Sequence, residues 1–186
     1  MSEAEAIRRL KSGDIGGLEL LVARYQAKAL RVAFLVLQDE QLAEDVVQDT
    51  FVRLFQHSRT YDDTRPFEPY LMRSILNAAL NAAQPSSIQA AGDDANLERL
   101  EHLLDQTSSL EEESERRSLR VEISKALQKL PPRQRAVIVQ RYYLEMSEQE
   151  MAYELKTPPG TIKWLLHQAR ARLRQMLQAK GEHKHE

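Results

Sequence analysis

The feature that most constrains this chain is an apolar stripe at three- and four-residue spacing, which recurs in several separate stretches and marks one face of a helix each time. From Asp14 to about Gln38 the stripe runs Leu18, Leu21, Val22, Tyr25, Ala29, Val32 and Val36, which predicts a long amphipathic helix. Asp39 can cap the next helix, whose stripe is Leu42, Val46, Val47, Phe51, Leu54 and Phe55. The spacing stops between His57 and Pro69, where HSRTYDDTRPFEP holds two prolines and an Asp pair and reads as an ordered loop. A third helix is expected from about Pro69, with Leu71, Ile75, Ala79 and Leu80 inward.

After Gln84 the stripe gives way to PSSIQAAGDDAN, a linker composition. Its acidic continuation through Glu115 carries Leu97, Leu100, Leu103 and Leu104 at helical spacing; in isolation this segment favours disorder, and on a partner part of it can form a helix. The stripe resumes at Leu119 and passes through Ile123, Ala126, Leu127 and Leu130 until Pro131 and Pro132 stop it. A further helix is expected from Arg133 to about Tyr143. Ser147 followed by Glu150 forms a capping-box pattern that starts a short helix ending near Leu155. KTPPG then turns the chain, and Thr161 begins a long last helix with Ile162, Leu166, Ala169 and Leu173 inward. Two helices joined by a tight turn, the second longer and basic, describe a helix-turn-helix.

Composition agrees with an all-helical chain: 6 Gly, 7 Pro, and stretches rich in Ala, Leu, Glu, Gln and Arg among 186 residues. Zero cysteines removes disulfides, thiolate nucleophiles and Cys-based zinc sites. No run of 18 apolar residues exists to span a bilayer, and Met1 to Lys11 alternates charged with apolar residues unlike a secretory leader, so a cytoplasmic protein without membrane insertion is expected. The net charge of −2 hides a division along the chain. Residues 1–85 carry 10 basic and 12 acidic side chains; residues 86–115 carry Arg99 against nine acids; residues 116–186 carry 15 basic and 7 acidic. Only the C-terminal part is therefore built to meet a polyanion. His57, His102 and His167 fall in different elements, and His183 and His185 in a polar tail, so no metal site is expected. Without a Cys, a Gly-rich phosphate loop or a base–nucleophile pairing, no catalysis and no cofactor are expected either.

Two runs carry a family resemblance. SEQEMAYELKTPPGTIKWLLHQARARLRQML, residues 147–177, offers a capped support helix, a tight turn and an emergent helix with Lys163, His167, Arg170, Arg172 and Arg174 available for phosphates or bases. It resembles the region 4 signature of extracytoplasmic-function sigma factors, whose recognition helix opens with Gly-Thr-(Val/Ile)-Lys; Gly160, Thr161, Ile162 and Lys163 match it. LAEDVVQDTFVRLF, Leu42 to Phe55, resembles the region 2 helix that these factors place against the polymerase, and PFEPYLMRSILNAALN resembles the family helix that follows it. The two resemblances cover residues 14–84 and 118–177, in the family's order and spacing.

The resemblance implies an all-α protein of two small helical domains: a region 2 bundle over residues 1–85, an acidic flexible linker over 86–115, a region 4 helix-turn-helix over 116–180, and a polar tail over 181–186. It implies a sigma factor, with core RNA polymerase (β′ clamp helices and β subunit), promoter DNA and an anti-sigma factor as partners. Glu44, Asp45, Gln48 and Asp49 would meet the polymerase by charge complementarity. Tyr61, Phe67, Tyr70 and Asn77 would meet the melted minus-ten strand, the aromatic rings by stacking; the competing role for Phe67 and Tyr70 is closing the helical core, and for Tyr70 that is the favoured one. Thr161, Lys163, Trp164, His167, Gln168 and Arg170 would read the minus-thirty-five duplex.

The sequence also departs from the family. Where relatives end the third region 2 helix with Asp and two arginines, this chain has Asn81, Ala82, Ala83 and Gln84; where they have Ser-Arg after the recognition lysine and Arg after the histidine, it has Trp164, Leu165 and Gln168. With Ile162, Leu166 and Ala169 inward, Trp164 and Leu165 should point outward. Thymine-methyl contact, a protein partner and loss of ordinary promoter binding all remain open as explanations. The alternative to a working sigma factor is a sigma-like adaptor or decoy that binds polymerase or an anti-sigma factor but has lost productive promoter binding. A plain helix-turn-helix repressor leaves the Glu44 to Phe55 face unexplained.

Overall fold

The structure, a computed structural model, describes residues 2–83 and 123–181, with side chains to Leu177. The acidic linker, Gln84, Leu119, and the tail with His183 and His185 lie outside the described residues. The chain divides into two units, Met1–Gln84 and Pro85–Glu186, and the described residues of both are helical without strand.

The first unit begins with α1 (Glu3–Lys11), whose leading N–H groups are met by Ser2 Oγ accepting from Glu5 N. Three of its apolar residues, Ala6, Ile7 and Leu10, are buried, and no helix is predicted there from the sequence because so short a stripe is weak evidence of one. A turn at Gly13, φ 83°, leads to α2 (Ile15–Leu37), capped by Asp14 accepting from Gly16 N at 2.8 Å. Asp14 also accepts from Arg9 Nε at 2.6 Å, and this bond first, then the one from Gly16, holds its carboxyl below the ordinary value. Gln38 ends α2 in a left-handed conformation, φ 59°. Asp39 then caps α3 (Glu40–Gln56), accepting from Leu42 N at 3.0 Å. A single tight turn, Ser58–Thr60, leads into the loop before α4 (Phe67–Ala82), which begins two residues earlier than the sequence predicts.

α2 is the central helix and packs against α1, α3 and α4. Leu21, Tyr25, Ala29, Val32, Phe34 and Val36 are buried on it, opposite Val46, Val47, Phe51 and Leu54 of α3 and Leu71, Met72, Ile75, Leu76 and Ala79 of α4. Burying one such side chain is worth about 1.5–3 kcal/mol, so this apolar set is the main force holding the bundle together. Leu80, expected inward, is only half-buried; Met72 and Leu76 fill that side of α4. Gly17 brings α1 and α2 together backbone to backbone, since a Cβ there would stand 2.5 Å from Ala6 O and from Leu10 N.

The second unit comprises α5 (residues 123–128), α6 (Pro132–Ile138), a wide π turn (Val139–Tyr143), α7 (Glu148–Glu154) and α8 (Pro159–Gly181). Pro132 in the first turn of α6 lacks the N–H that would have no partner there. The helix expected to reach Tyr143 as one piece loosens after Ile138 into i→i+5 bonding, with Leu144 N donating to Val139 O at 3.0 Å. Ala126, Leu127, Leu130, Val137, Met151, Ile162, Leu166 and Ala169 form the core, with α8 packed on α6 and α7. Ile123, expected inward, is exposed, and Ser124 beside it takes the buried place.

Candidate protein-binding and nucleic-acid interfaces

The stripe that buries one side of α3 leaves Glu44, Asp45, Gln48 and Asp49 exposed on the other. Asp49 lies 4.0 Å from Arg53, an exposed pair of small energetic weight. Val52 is 51% exposed and falls at i+7 from Asp45 and i+4 from Gln48, so it places an apolar side chain within the acidic stripe. The sequence reading did not single out Val52; its signal was a valine between two stripe positions.

The loop from His57 to Pro66 is closed by its own bonds. Tyr61 Oη donates to Arg65 O at 2.7 Å, and Asp62 accepts from Thr64 N at 3.1 Å and Thr64 Oγ1 at 2.6 Å. Those Thr64 bonds hold the Asp62 carboxyl below its ordinary value, while burial pushes the Tyr61 hydroxyl up. Phe67 is 1% exposed: it packs on Tyr25 with ring centres 5.7 Å apart and meets Tyr61 edge-on at 5.6 Å. The expectation that Phe67 could stack on a base is therefore corrected, because its ring is consumed by the core. Tyr61 is buried too, its ring lying between Phe67 and Tyr70. Tyr70, judged more suited to the core, is 39% exposed, 4.9 Å from Tyr61. The reason is its place on α4, one residue before the inward Leu71. Tyr70 and Asn77 share an open groove of about 280 Å³ with His57, Ser74 and Asn81, polar residues that sequence reasoning did not gather because His57 follows α3 and the others lie on α4.

In the second unit the capping box forms: Ser147 Oγ accepts from Glu150 N at 3.2 Å and Glu150 accepts from Ser147 N at 2.8 Å. Lys156 takes a left-handed conformation, φ 46°, and the turn is closed by Thr157 N donating to Ala152 O at 3.0 Å. α8 opens at Pro159, two residues before the expected Thr161. Ile162, Leu166 and Ala169 are buried, which leaves Thr161, Lys163, His167 and Arg170 exposed and Leu165 and Gln168 half-buried. Trp164 is 57% exposed. The Arg170 guanidinium lies 5.7 Å from the centre of the Tyr142 ring, a cation–π contact. Arg172, grouped from the sequence with the cations free for phosphate, instead donates to Gln134 Oε1 at 3.2 Å. Among the described residues no group of three or more His, Cys, Asp or Glu could hold a metal ion, and no helix is long and apolar enough to cross a membrane.

The Sigma-70 region 2 family matches residues 21–84, and the Sigma-70, region 4 family matches residues 120–173. The ECF RNA polymerase sigma factor SigL of Mycobacterium tuberculosis is 30% identical over 168 residues, covering 88% of this chain and 90% of that protein. This chain belongs to the extracytoplasmic-function RNA polymerase sigma factors. Sigma-H of Pseudomonas aeruginosa is 25% identical over 181 residues, covering 95% of this chain and 94% of the relative. SigW of Bacillus subtilis is 27% identical, covering 92% and 94%. The solved structure of CnrH in complex with the cytosolic domain of CnrY superposes with a TM-score of 0.63 at 26% identity, covering 95% of this chain and 97% of CnrH. The sigma factor accordingly directs bacterial RNA polymerase to promoters and initiates transcription, as a DNA-binding regulator with region 2 and region 4 in the family order. Both regions are matched, so the reading as an adaptor that has lost promoter binding is not the one favoured.

Proposed function

We propose a division of labour for this sigma factor in which α3 docks on the polymerase, the α3–α4 groove receives the melted minus-ten strand, and α8 enters the minus-thirty-five duplex. The observation that carries the reading is α8: its buried Ile162, Leu166 and Ala169 fix the helix while Lys163, Trp164, His167 and Arg170 are left exposed together. On α3, Glu44, Asp45, Gln48 and Asp49 suit an arginine-rich partner such as the β′ clamp helices, with Val52 adding an apolar contact inside the charged rim. Further contact with the β subunit is assigned to residues 116–180 as region 4, with residues 1–85 as region 2 and 86–115 as the linker. In the groove, Tyr70 supplies the exposed ring and Asn77 the amide, a reading supported by their shared lining with His57, Ser74 and Asn81.

The protein acts in the cytoplasm, without catalysis of its own. In the resting state an anti-sigma protein covers it, a reading supported by its likeness to CnrH, which was solved with the cytosolic domain of CnrY. Exposed Trp164 is a residue such a partner would cover. The test is one set of full-length variants with two readouts. Asp45→Arg with Gln48→Arg should weaken core polymerase binding at unchanged helix content and leave duplex binding intact, while Arg170→Ala should do the reverse. Unchanged polymerase binding by the first variant, or unchanged duplex binding by the second, would remove the corresponding assignment.

A further inference from the structure

α1 lies ahead of the region 2 match, which begins at residue 21, yet it is built firmly into the first unit. Ala6, Ile7 and Leu10 are buried, Arg9 bonds Asp14 at 2.6 Å, and at Gly17 the two backbones meet with no room for a Cβ. From this seat α1 reaches the loop before α4 by two routes. Directly, Lys11 Nζ lies 3.1 Å from Asp63 Oδ2. Indirectly, Glu3 accepts from Tyr25 Oη, Tyr25 packs on Phe67 at 5.7 Å, Phe67 meets Tyr61 at 5.6 Å, and Tyr61 lies 4.9 Å from Tyr70. The loop's other polar contacts are local: Thr60 with His57, Tyr61 with Arg65, and Asp62 with Thr64 and Arg65. Asp63 therefore makes the ion pair that ties the loop to another element.

We propose that α1 positions the loop that backs the minus-ten groove, with Lys11 acting through Asp63 to seat it beneath Tyr70 and so to set which minus-ten bases the protein accepts. This rests on the reading of Tyr70 and its groove as the minus-ten surface. A partly exposed pair such as Lys11–Asp63 adds little to the stability of the fold. Its effect is geometric: a loop whose polar bonds are otherwise local gains a polar attachment to a neighbouring helix beside the packing of Tyr61, and discrimination between bases depends on sub-ångström placement of the groups that meet them. Lys11 is thus a positioning residue that touches no nucleotide.

The experiment uses the full chain with core polymerase and a promoter library randomised at the minus-ten element. The variants are Lys11→Glu, Asp63→Lys, their combination, Lys11→Gln, and Tyr70→Ala. Each charge reversal should change the ratio between the preferred and next-preferred minus-ten sequences by about threefold or more, and the reversed pair should restore the original ranking. Lys11→Gln should shift the ranking in the same direction as Lys11→Glu but less, with core binding and melting temperature unchanged, which separates positioning from folding. Unchanged rankings in both reversals would overturn the proposal, and so would a combination that fails to restore the ranking, since Asp63 would then meet DNA itself. If Tyr70→Ala alters the ranking while the Lys11 variants do not, the positioning role alone fails. If Tyr70→Ala leaves it unchanged, the minus-ten reading of the groove fails and the proposal with it.

Discussion

Gly17 of α2 and Ala6 of α1 meet across a contact so close that a Cβ on Gly17 would stand 2.5 Å from the Ala6 carbonyl oxygen. The obstacle is backbone, which a rotamer change cannot move aside. Gly17→Ala should therefore displace α1 and destabilise the first unit by about 1–3 kcal/mol. Gly160 in the first turn of α8 has nothing within 4 Å of its would-be Cβ, so Gly160→Ala should be neutral or stabilising by up to about 1 kcal/mol. Thermal unfolding followed by circular dichroism checks both. A Gly17→Ala protein as stable as the parent would mean that α1 is not seated as described.

Gln140 is 0% exposed in the π turn between α6 and α7, and neither its Oε1 nor its Nε2 has a partner. A buried amide without hydrogen bonds costs more than an apolar side chain of like volume. Gln140→Met should raise the stability of the second unit by about 1–2 kcal/mol. Trp164 is the one tryptophan of the chain and sits on α8 in that unit, so its fluorescence reports unfolding there. A loss of stability would show that the amide is bonded in solution.

Much of this architecture could be read from the residues because local chemistry and packing agree. Asp39 and the Ser147–Glu150 box cap the helices they were expected to cap, and Ile162, Leu166 and Ala169 face inward as their spacing requires. What escaped depends on contacts distant in sequence. α1 has only three buried apolar residues and is held by Gly17 and Tyr25 of the next helix. Gln140 and Arg135, polar residues within a helical run, gave no sign that they would be buried. Burial holds the Arg135 side chain below its ordinary value, and one of its bonds is to Gln128 O at 3.3 Å. In the candidate site, the outward set on α3 and α8 follows from periodicity. Which of Tyr61, Phe67 and Tyr70 stays open is decided by how three rings from a loop and a helix pack.

Trp164 and Leu165 are adjacent on the helix assigned to the duplex, Trp164 exposed and Leu165 half-buried. Trp164→Ser with Leu165→Arg adds one cation to that face. Duplex affinity should rise, and the dependence of log K on log salt should steepen by about one unit. Binding to a protein partner that buries the two side chains should weaken, because the new guanidinium would be desolvated there. Weaker duplex binding would show that Trp164 and Leu165 themselves read the promoter.

Region 2 and region 4 of this chain together confer promoter choice on core polymerase. Run-off transcription from a random-promoter library, with purified core polymerase and the full chain, tests it directly. Discrete transcripts should appear only when the chain is added, from templates enriched at both the minus-ten and the minus-thirty-five positions. A chain that binds the polymerase yet yields no promoter-specific transcript would contradict it.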